Sequence, residues 1–87
     1  MIEKHIIIGV HITDSVKHAP EVQVVFTRYG TNIKTRIGLH DVEEGFASPN
    51  GLLLLEFVGG DDKAQQMMSE LSDIEGVEVK TMVFDHP

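Results

Sequence analysis

Histidine is the residue type with the widest chemical scope in this sequence, because imidazole transfers protons near neutral pH and binds zinc, nickel and copper. There are five histidines among 87 residues. His5 and His11 fall on one side of a predicted strand, but six residues of strand span about 20 Å, too far for both to bind one ion. We expect His11 and His40 to lie at the same end of the sheet, about 10 Å apart, where a third group or a second subunit could complete a metal site.

No other set of residues forms a recognisable catalytic motif. The sequence contains no Gly-x-Ser-x-Gly, no Walker loop and no His-Glu-x-x-His. Carboxylates cluster at Asp61 and Asp62, where capping of a helix is the expected role. We therefore expect no enzymatic activity and no cofactor.

Composition excludes several classes of partner. Fourteen acidic residues against seven basic ones give a net charge of −7, which repels the phosphates of nucleic acids. A chain of 87 residues forms one domain, residues 1–87, with a thin core, and it has no cysteine for a disulfide. We expect self-association as a dimer or tetramer to supply stability. No segment reaches the roughly 18 apolar residues of a membrane helix, so a cytoplasmic protein is expected.

The hydrophobic period alternates between that of strands and that of helices along the chain. The first strand alternates at Ile6, Ile8, Val10 and Ile12, and a helical stripe follows at Val22, Val25, Phe26 and Tyr29. The second half repeats this plan, with a buried strand over 52–58, a helix stripe over 64–74 and a final alternating strand over 77–83. This order predicts an α+β, ferredoxin-like βαββαβ domain.

Turn residues predict where the helices begin and end. Pro20 suits the first turn of a helix that ends near Tyr29, whereas a start at Asp14 or Ser15 would place Pro20 inside the helix. Gly30 is expected to end this helix in a left-handed conformation. Asp61 or Asp62 is expected to cap the second helix, and Gly76 to end it.

A four-stranded antiparallel sheet with this connectivity carries both helices on one face and leaves the other face open. We expect Thr35, Ile37 and Leu39 to point toward the helices. The residues expected on the open face are His5, Ile7, Gly9 and His11 on the first strand, Lys34, Arg36, Gly38 and His40 on the second, and Glu78, Lys80, Met82 and Phe84 on the last. The candidate ligand or interface site is therefore Arg36, Gly38 and His40 with His11.

Three short segments, residues 28–30, 36–39 and 76–81, carry a resemblance to a known family. Their sequences are Arg-Tyr-Gly, Arg-Ile-Gly-Leu and Gly-Val-Glu-Val-Lys-Thr. As a set they resemble small proteins identified as regulators of the iron-only hydrogenase system. That family has an ACT-like fold related to the C-terminal domain of the nickel-responsive repressor, and the resemblance covers about residues 21–83.

The resemblance implies an oligomeric sensory module, acting as a transcriptional regulator without a DNA-binding domain of its own. The chain differs from the nickel repressor in lacking cysteine and an N-terminal ribbon-helix-helix segment, and from amino-acid-binding ACT domains in lacking a glycine between Thr13 and Pro20. We expect a homo-oligomeric regulator that binds a small effector or a partner protein. The alternative is a transition-metal protein with His11 and His40 as ligands shared across subunits.

Overall fold

The computed structural model describes residues 3–39, 42–43, 46–47 and 50–86. Within these ranges, two helices and six strands follow one another. They are β1 (Glu3–Ile12), α1 (Ser15–Arg28), β2 (Ile33–Leu39), β3 (Val42–Glu43), β4 (Phe46–Ala47), β5 (Gly51–Phe57), α2 (Asp61–Ser72) and β6 (Val77–His86), with a short 3₁₀ helix, Gly30–Asn32, before β2. The two-residue strands β3 and β4 pair with each other in the connection between β2 and β5.

The four long strands form one antiparallel sheet in the order β2-β5-β1-β6. Counted among the long strands alone, this order is 2-3-1-4, so the predicted βαββαβ fold with two helices is confirmed. The central strand β1 pairs with β5 on one side and with β6 on the other.

The core lies between the sheet and the two helices. The residues that β1 contributes to the core are the predicted ones. Helix α2 contributes Ala64, Met67 and Leu71 at helical spacing. Its buried members are Ile6, Ile8, Val10, Ile12, Val22, Val25, Phe26, Tyr29, Leu55, Phe57, Ala64, Met67, Leu71 and Ile74. Strand and helix periods both direct apolar side chains into this layer, and their burial stabilises the fold.

Helix α1 begins earlier than the start near Pro20 that the sequence favoured. It starts at Ser15, so Pro20 lies inside the helix and the alternative start is the correct one. The backbone N–H groups of Lys17 and His18 both donate to the carbonyl of Asp14, which forms the first turn before Pro20 is reached. Pro20 then removes only one interior hydrogen bond, at an exposed position.

The predicted helix caps at Gly30 and Asp61 are also wrong. Tyr29 follows α1 with φ −107°, and Gly30 opens the 3₁₀ helix without a left-handed conformation. Helix α2 is preceded by Gly60, with Asp61 and Asp62 in the first turn, where their charge still favours the helix dipole. The expectation that Gly76 ends this helix is wrong too: α2 ends at Ser72, and Gly76, with φ +82°, lies in the turn into β6.

Neither helix in the described residues is long and apolar enough to cross a membrane.

Candidate functional site

The sheet surface opposite the helices carries five of the eight large, exposed apolar side chains in the described part of the chain. Directly opposed residues of antiparallel strands share a face, so the strand registers assign its members. We call this surface the open face: Thr35, Ile37 and Leu39 on β2, Leu52, Leu54 and Glu56 on β5, His5, Ile7, Gly9 and His11 on β1, and Glu78, Lys80, Met82 and Phe84 on β6.

The open-face residues predicted on β1 and β6 are confirmed, but two of those predicted on β2, Arg36 and Gly38, are wrong. Arg36 is paired with the buried Leu55 and Gly38 with Leu53, so both lie on the helix side. Ile37 and Leu39, expected inside, lie on the open face, where they are 50% and 43% exposed.

A β-bulge explains this reversal. Ile33 pairs with Phe57 and Thr35 pairs with the next residue of β5, Glu56, so Lys34 is the extra residue on β2. One extra residue changes which alternate side chains point inward along the rest of a strand. The sequence-based assignment used uninterrupted alternation and therefore placed every later residue of β2 on the wrong face.

Arg36 consequently contacts helix α1 and not the open face. Its guanidinium carbon lies 5.0 Å from the centre of the Phe26 ring, and its Nη1 atom donates a hydrogen bond of 3.3 Å to Oε1 of Gln23. A cation over an aromatic ring is attracted by the ring quadrupole. These contacts give Arg36 a structural role in holding β2 against α1.

Of the four residues predicted for the site, His11 is the one that the structure places on the open face. His40 lies outside the described residues, so the proposed pairing of His11 with His40 stays a prediction. Within the described ranges, no group of three or more His, Asp or Glu side chains is arranged to hold a metal ion.

A recess on the open face surrounds Gly9. It is lined by Gly9, His11, Leu52, Glu78 and Lys80. A Cβ atom built on Gly9 would meet only Leu54 and the Lys80 carbonyl, at 3.7 and 3.8 Å, so the fold itself leaves room there for a side chain. Sequence reasoning placed Gly9, His11, Glu78 and Lys80 outward without grouping them, and it assigned Leu52 to a buried strand. A glycine at an outward-facing position of β1 was the available signal.

The polar groups around the recess have no partners among the described residues. Neither Lys80 nor Glu78 forms an ion pair within that part of the chain, although both are exposed. The partly buried ring of His11 likewise makes no hydrogen bond there.

The opposite end of the open face carries an intramolecular polar pair. Nδ1 of His5 lies 2.9 Å from Oε2 of Glu56. On the helix side nearby, Nζ of Lys4 lies 2.9 Å from Oδ2 of Asp61 and 3.7 Å from Oδ1 of Asp85. The hydrogen bond to Asp61, together with the negative charges of Asp61 and Asp85, raises the pKa of Lys4.

Solved structures resemble the chain, whereas no protein-family model and no curated protein matches it. An uncharacterized protein, TM1266 of Thermotoga maritima, is 24% identical with a TM-score of 0.79, over 94% of this chain and 99% of that one. The ACT domain of a GTP pyrophosphokinase from Chlorobium tepidum is 22% identical with a TM-score of 0.64, over 94% and 100%.

A third similar structure belongs to a different class of protein. A nitrogen regulatory PII-like protein of Thiomonas intermedia K12, bound to ADP, AMP and bicarbonate, is 9% identical with a TM-score of 0.57, over 100% of this chain and 99% of that one. Identities this low establish the fold alone. The chain therefore has the ACT-like α+β fold, in an arrangement that PII-like proteins share.

Proposed function

We propose that this protein is a non-enzymatic regulatory module that works as a homo-oligomer and responds to a small effector or a partner protein. The open face carries the proposal, because a contiguous apolar surface rimmed by polar residues usually marks an interface. Its most exposed apolar side chains are Ile37, Leu39, Leu52, Met82 and Phe84.

The charge distribution supports a second copy of the chain as the occupant of this face. The chain as a whole carries a net charge of −7, so two copies repel unless the contacting surfaces are depleted of carboxylates. Among the residues assigned above to the open face, the carboxylates are Glu56 and Glu78, and Glu56 is already paired with His5. Contact between two open faces therefore avoids most of the repulsion.

The similar structures support a regulatory role. ADP and AMP bound to the PII-like protein show that this fold accommodates small effectors in one relative, and the ACT domain of the pyrophosphokinase shows it as part of an enzyme. In this chain we assign the effector to the subunit interface, at the end of the open face that carries His11. Arg36 and Gly38 lie on the other side of the sheet and support that face from behind.

The resemblance of residues 28–30, 36–39 and 76–81 supplies the physiological proposal, which is regulation of an iron-only hydrogenase system. The net negative charge favours action through a partner protein over direct contact with DNA. Deletion of the gene should change hydrogenase transcript levels. Unchanged transcripts, with hydrogenase expressed in the same cells, would contradict this assignment without affecting the oligomer proposal.

Native mass spectrometry of the untagged protein, with and without chelator, tests the module itself. A multiple of the 9.7 kDa chain that retains an organic mass after chelation supports an effector-binding oligomer. A mass that loses a metal ion on chelation would favour the histidine alternative instead. A monomer at all concentrations would overturn the homo-oligomer proposal.

A charged substitution on the open face tests where the subunits meet. Ile37→Glu should dissociate the oligomer because it places an unpaired carboxylate in an apolar contact. Val24→Glu is the matched control, since Val24 is 58% exposed on helix α1 and lies away from the open face. Equal oligomer stability in the two variants, measured by sedimentation velocity, would contradict assembly through the open face.

A further inference from the structure

Two adjacent rows of residues cross the open face perpendicular to the strands. The end row contains Leu39, Leu52, His11 and Glu78, and the inner row contains Ile37, Leu54, Gly9 and Lys80. Both rows are given in the strand order β2-β5-β1-β6. They lie two residues apart along each strand, about 7 Å.

We propose that two copies of the chain pack open face to open face about a two-fold axis that runs between these two rows. This proposal rests on the homo-oligomer proposed above and specifies how its subunits pair. In a two-fold interface, if one residue contacts a second, the second contacts the first in return. An axis between the rows therefore sets the end row of each copy against the inner row of the other.

With the end row of one copy set against the inner row of the other, the opposed residues are complementary on all four strands. Glu78 of one copy faces Lys80 of the other, and this happens twice in each dimer. The imidazole of His11 faces the recess at Gly9. On β5 and β2 the opposed residues are aliphatic throughout: Leu52 with Leu54, and Leu39 with Ile37.

Each feature of this pairing accounts for a group that has no partner among the described residues of one copy. Lys80 and Glu78 have no ion pair among the described residues, and their long side chains suit the gap of about 10 Å between packed sheets. The recess at Gly9 has room for a side chain that the fold does not supply. Because β6 is an edge strand, the ion pairs lie at the rim, where interfaces are usually polar.

Other positions of the two-fold axis bring less complementary residues of the open face together. An axis through either row sets Lys80 against Lys80 or Glu78 against Glu78. An axis along the strands, between β5 and β1, sets Lys80 against Ile37 and Glu78 against Leu39. An axis displaced by one row toward Met82 sets Glu56 against Leu54, which leaves a carboxylate facing an aliphatic side chain.

Charge reversal tests the pairing, with sedimentation velocity reporting the dimer dissociation constant. Glu78→Lys and Lys80→Glu should each raise this constant by about tenfold, because each creates two like-charge contacts in every dimer. The double variant exchanges the charges, and should return the constant to within roughly threefold of the wild type. Glu75→Lys and Lys63→Glu are matched controls, because they make the same changes in net charge at exposed positions away from the open face.

Gly9→Val provides an independent test. A β-branched residue suits a strand, and the nearest atoms leave space for its Cβ, so the monomer should fold. The new side chain fills the recess and should weaken the dimer, whereas adding His11→Ala should restore part of the affinity.

The outcomes separate this pairing from the proposed function. A wild-type monomer at every concentration overturns both proposals. A wild-type dimer whose charge variants dissociate no more than their controls, or whose double variant is no tighter than the single ones, overturns the pairing alone.

Discussion

The guanidinium of Arg36 lies over the ring of Phe26, with 5.0 Å between the guanidinium carbon and the ring centre. Phe26 belongs to the buried core and Arg36 to the edge strand β2. This contact fixes the side of the sheet on which Arg36 acts. It therefore separates a structural role for Arg36 from the ligand-binding role that the sequence suggested.

Replacing Arg36 should affect stability and not assembly. Arg36→Ala removes the contact with Phe26 and the hydrogen bond to Gln23, and should lower the free energy of unfolding by about 1 kcal/mol. Urea denaturation measures this change, and Arg36→Lys, which keeps the charge, should lose less. An Arg36→Ala variant with unchanged stability and lost effector binding would restore the sequence-based assignment.

Tyr29 should stabilise the packing of α1 against α2. Its buried hydroxyl donates a hydrogen bond to the Glu70 carboxylate, which also pairs with Arg28. Tyr29→Phe should lower the free energy of unfolding by about 1.5 kcal/mol, because it leaves the ring in place and removes a hydrogen bond to a charged group. Arg28→Gln, which removes only the more exposed partner, should cost less. Equal losses in thermal unfolding would contradict this ranking.

The two glycines before α2 should respond differently to alanine. Gly59 and Gly60 have φ values of +118° and +96°, which strain any residue with a side chain. At Gly60 an added Cβ meets nothing within 4 Å, so Gly60→Ala should cost about 1 to 2 kcal/mol from strain alone.

At Gly59 an added Cβ collides with the side-chain amide of Asn32. That amide donates a hydrogen bond of 2.8 Å to the carbonyl of Val58. Gly59→Ala should therefore cost about 1 kcal/mol more than Gly60→Ala, because the hydrogen bond is lost in addition. Chemical denaturation of the two variants gives the comparison, and the reverse order of stability would count against the Asn32 contact.

The ion pairs of Lys4 should raise the free energy of unfolding at neutral pH, and this contribution, the increment, should disappear in alkali. Because the folded-state pKa of Lys4 is raised above its ordinary value of 10.5, the increment is fully present below that pH and is lost as the pH rises through the folded-state pKa. Lys4→Met should thus be less stable than the wild type at neutral pH, and the difference should shrink above pH 10.5. Lys63→Met, at an exposed position on α2, is the control and should show no comparable alkaline convergence.

The sequence by itself determined the fold of this protein and the outward faces of two strands. In β1, apolar residues at every second position can bury only on one side, so His5, Ile7, Gly9 and His11 had to face the other way. The α2 stripe was equally definite, because Ala64, Met67 and Leu71 recur at helical spacing. Local periodicity is sufficient to predict which side chains are buried wherever a helix or strand keeps one hydrophobic period from end to end.

Only the tertiary structure decided which residues of β2 reach the open face. Ile37 and Leu39 are apolar and look like core residues in the sequence, and the bulge at Lys34 leaves no local pattern. The bulge is fixed by the register between β2 and β5 and by the contact of Arg36 with Phe26. Both join residues of different secondary-structure elements. Because a shift of one residue exchanges the two faces of a strand, this non-local pairing determined the composition of the candidate interface.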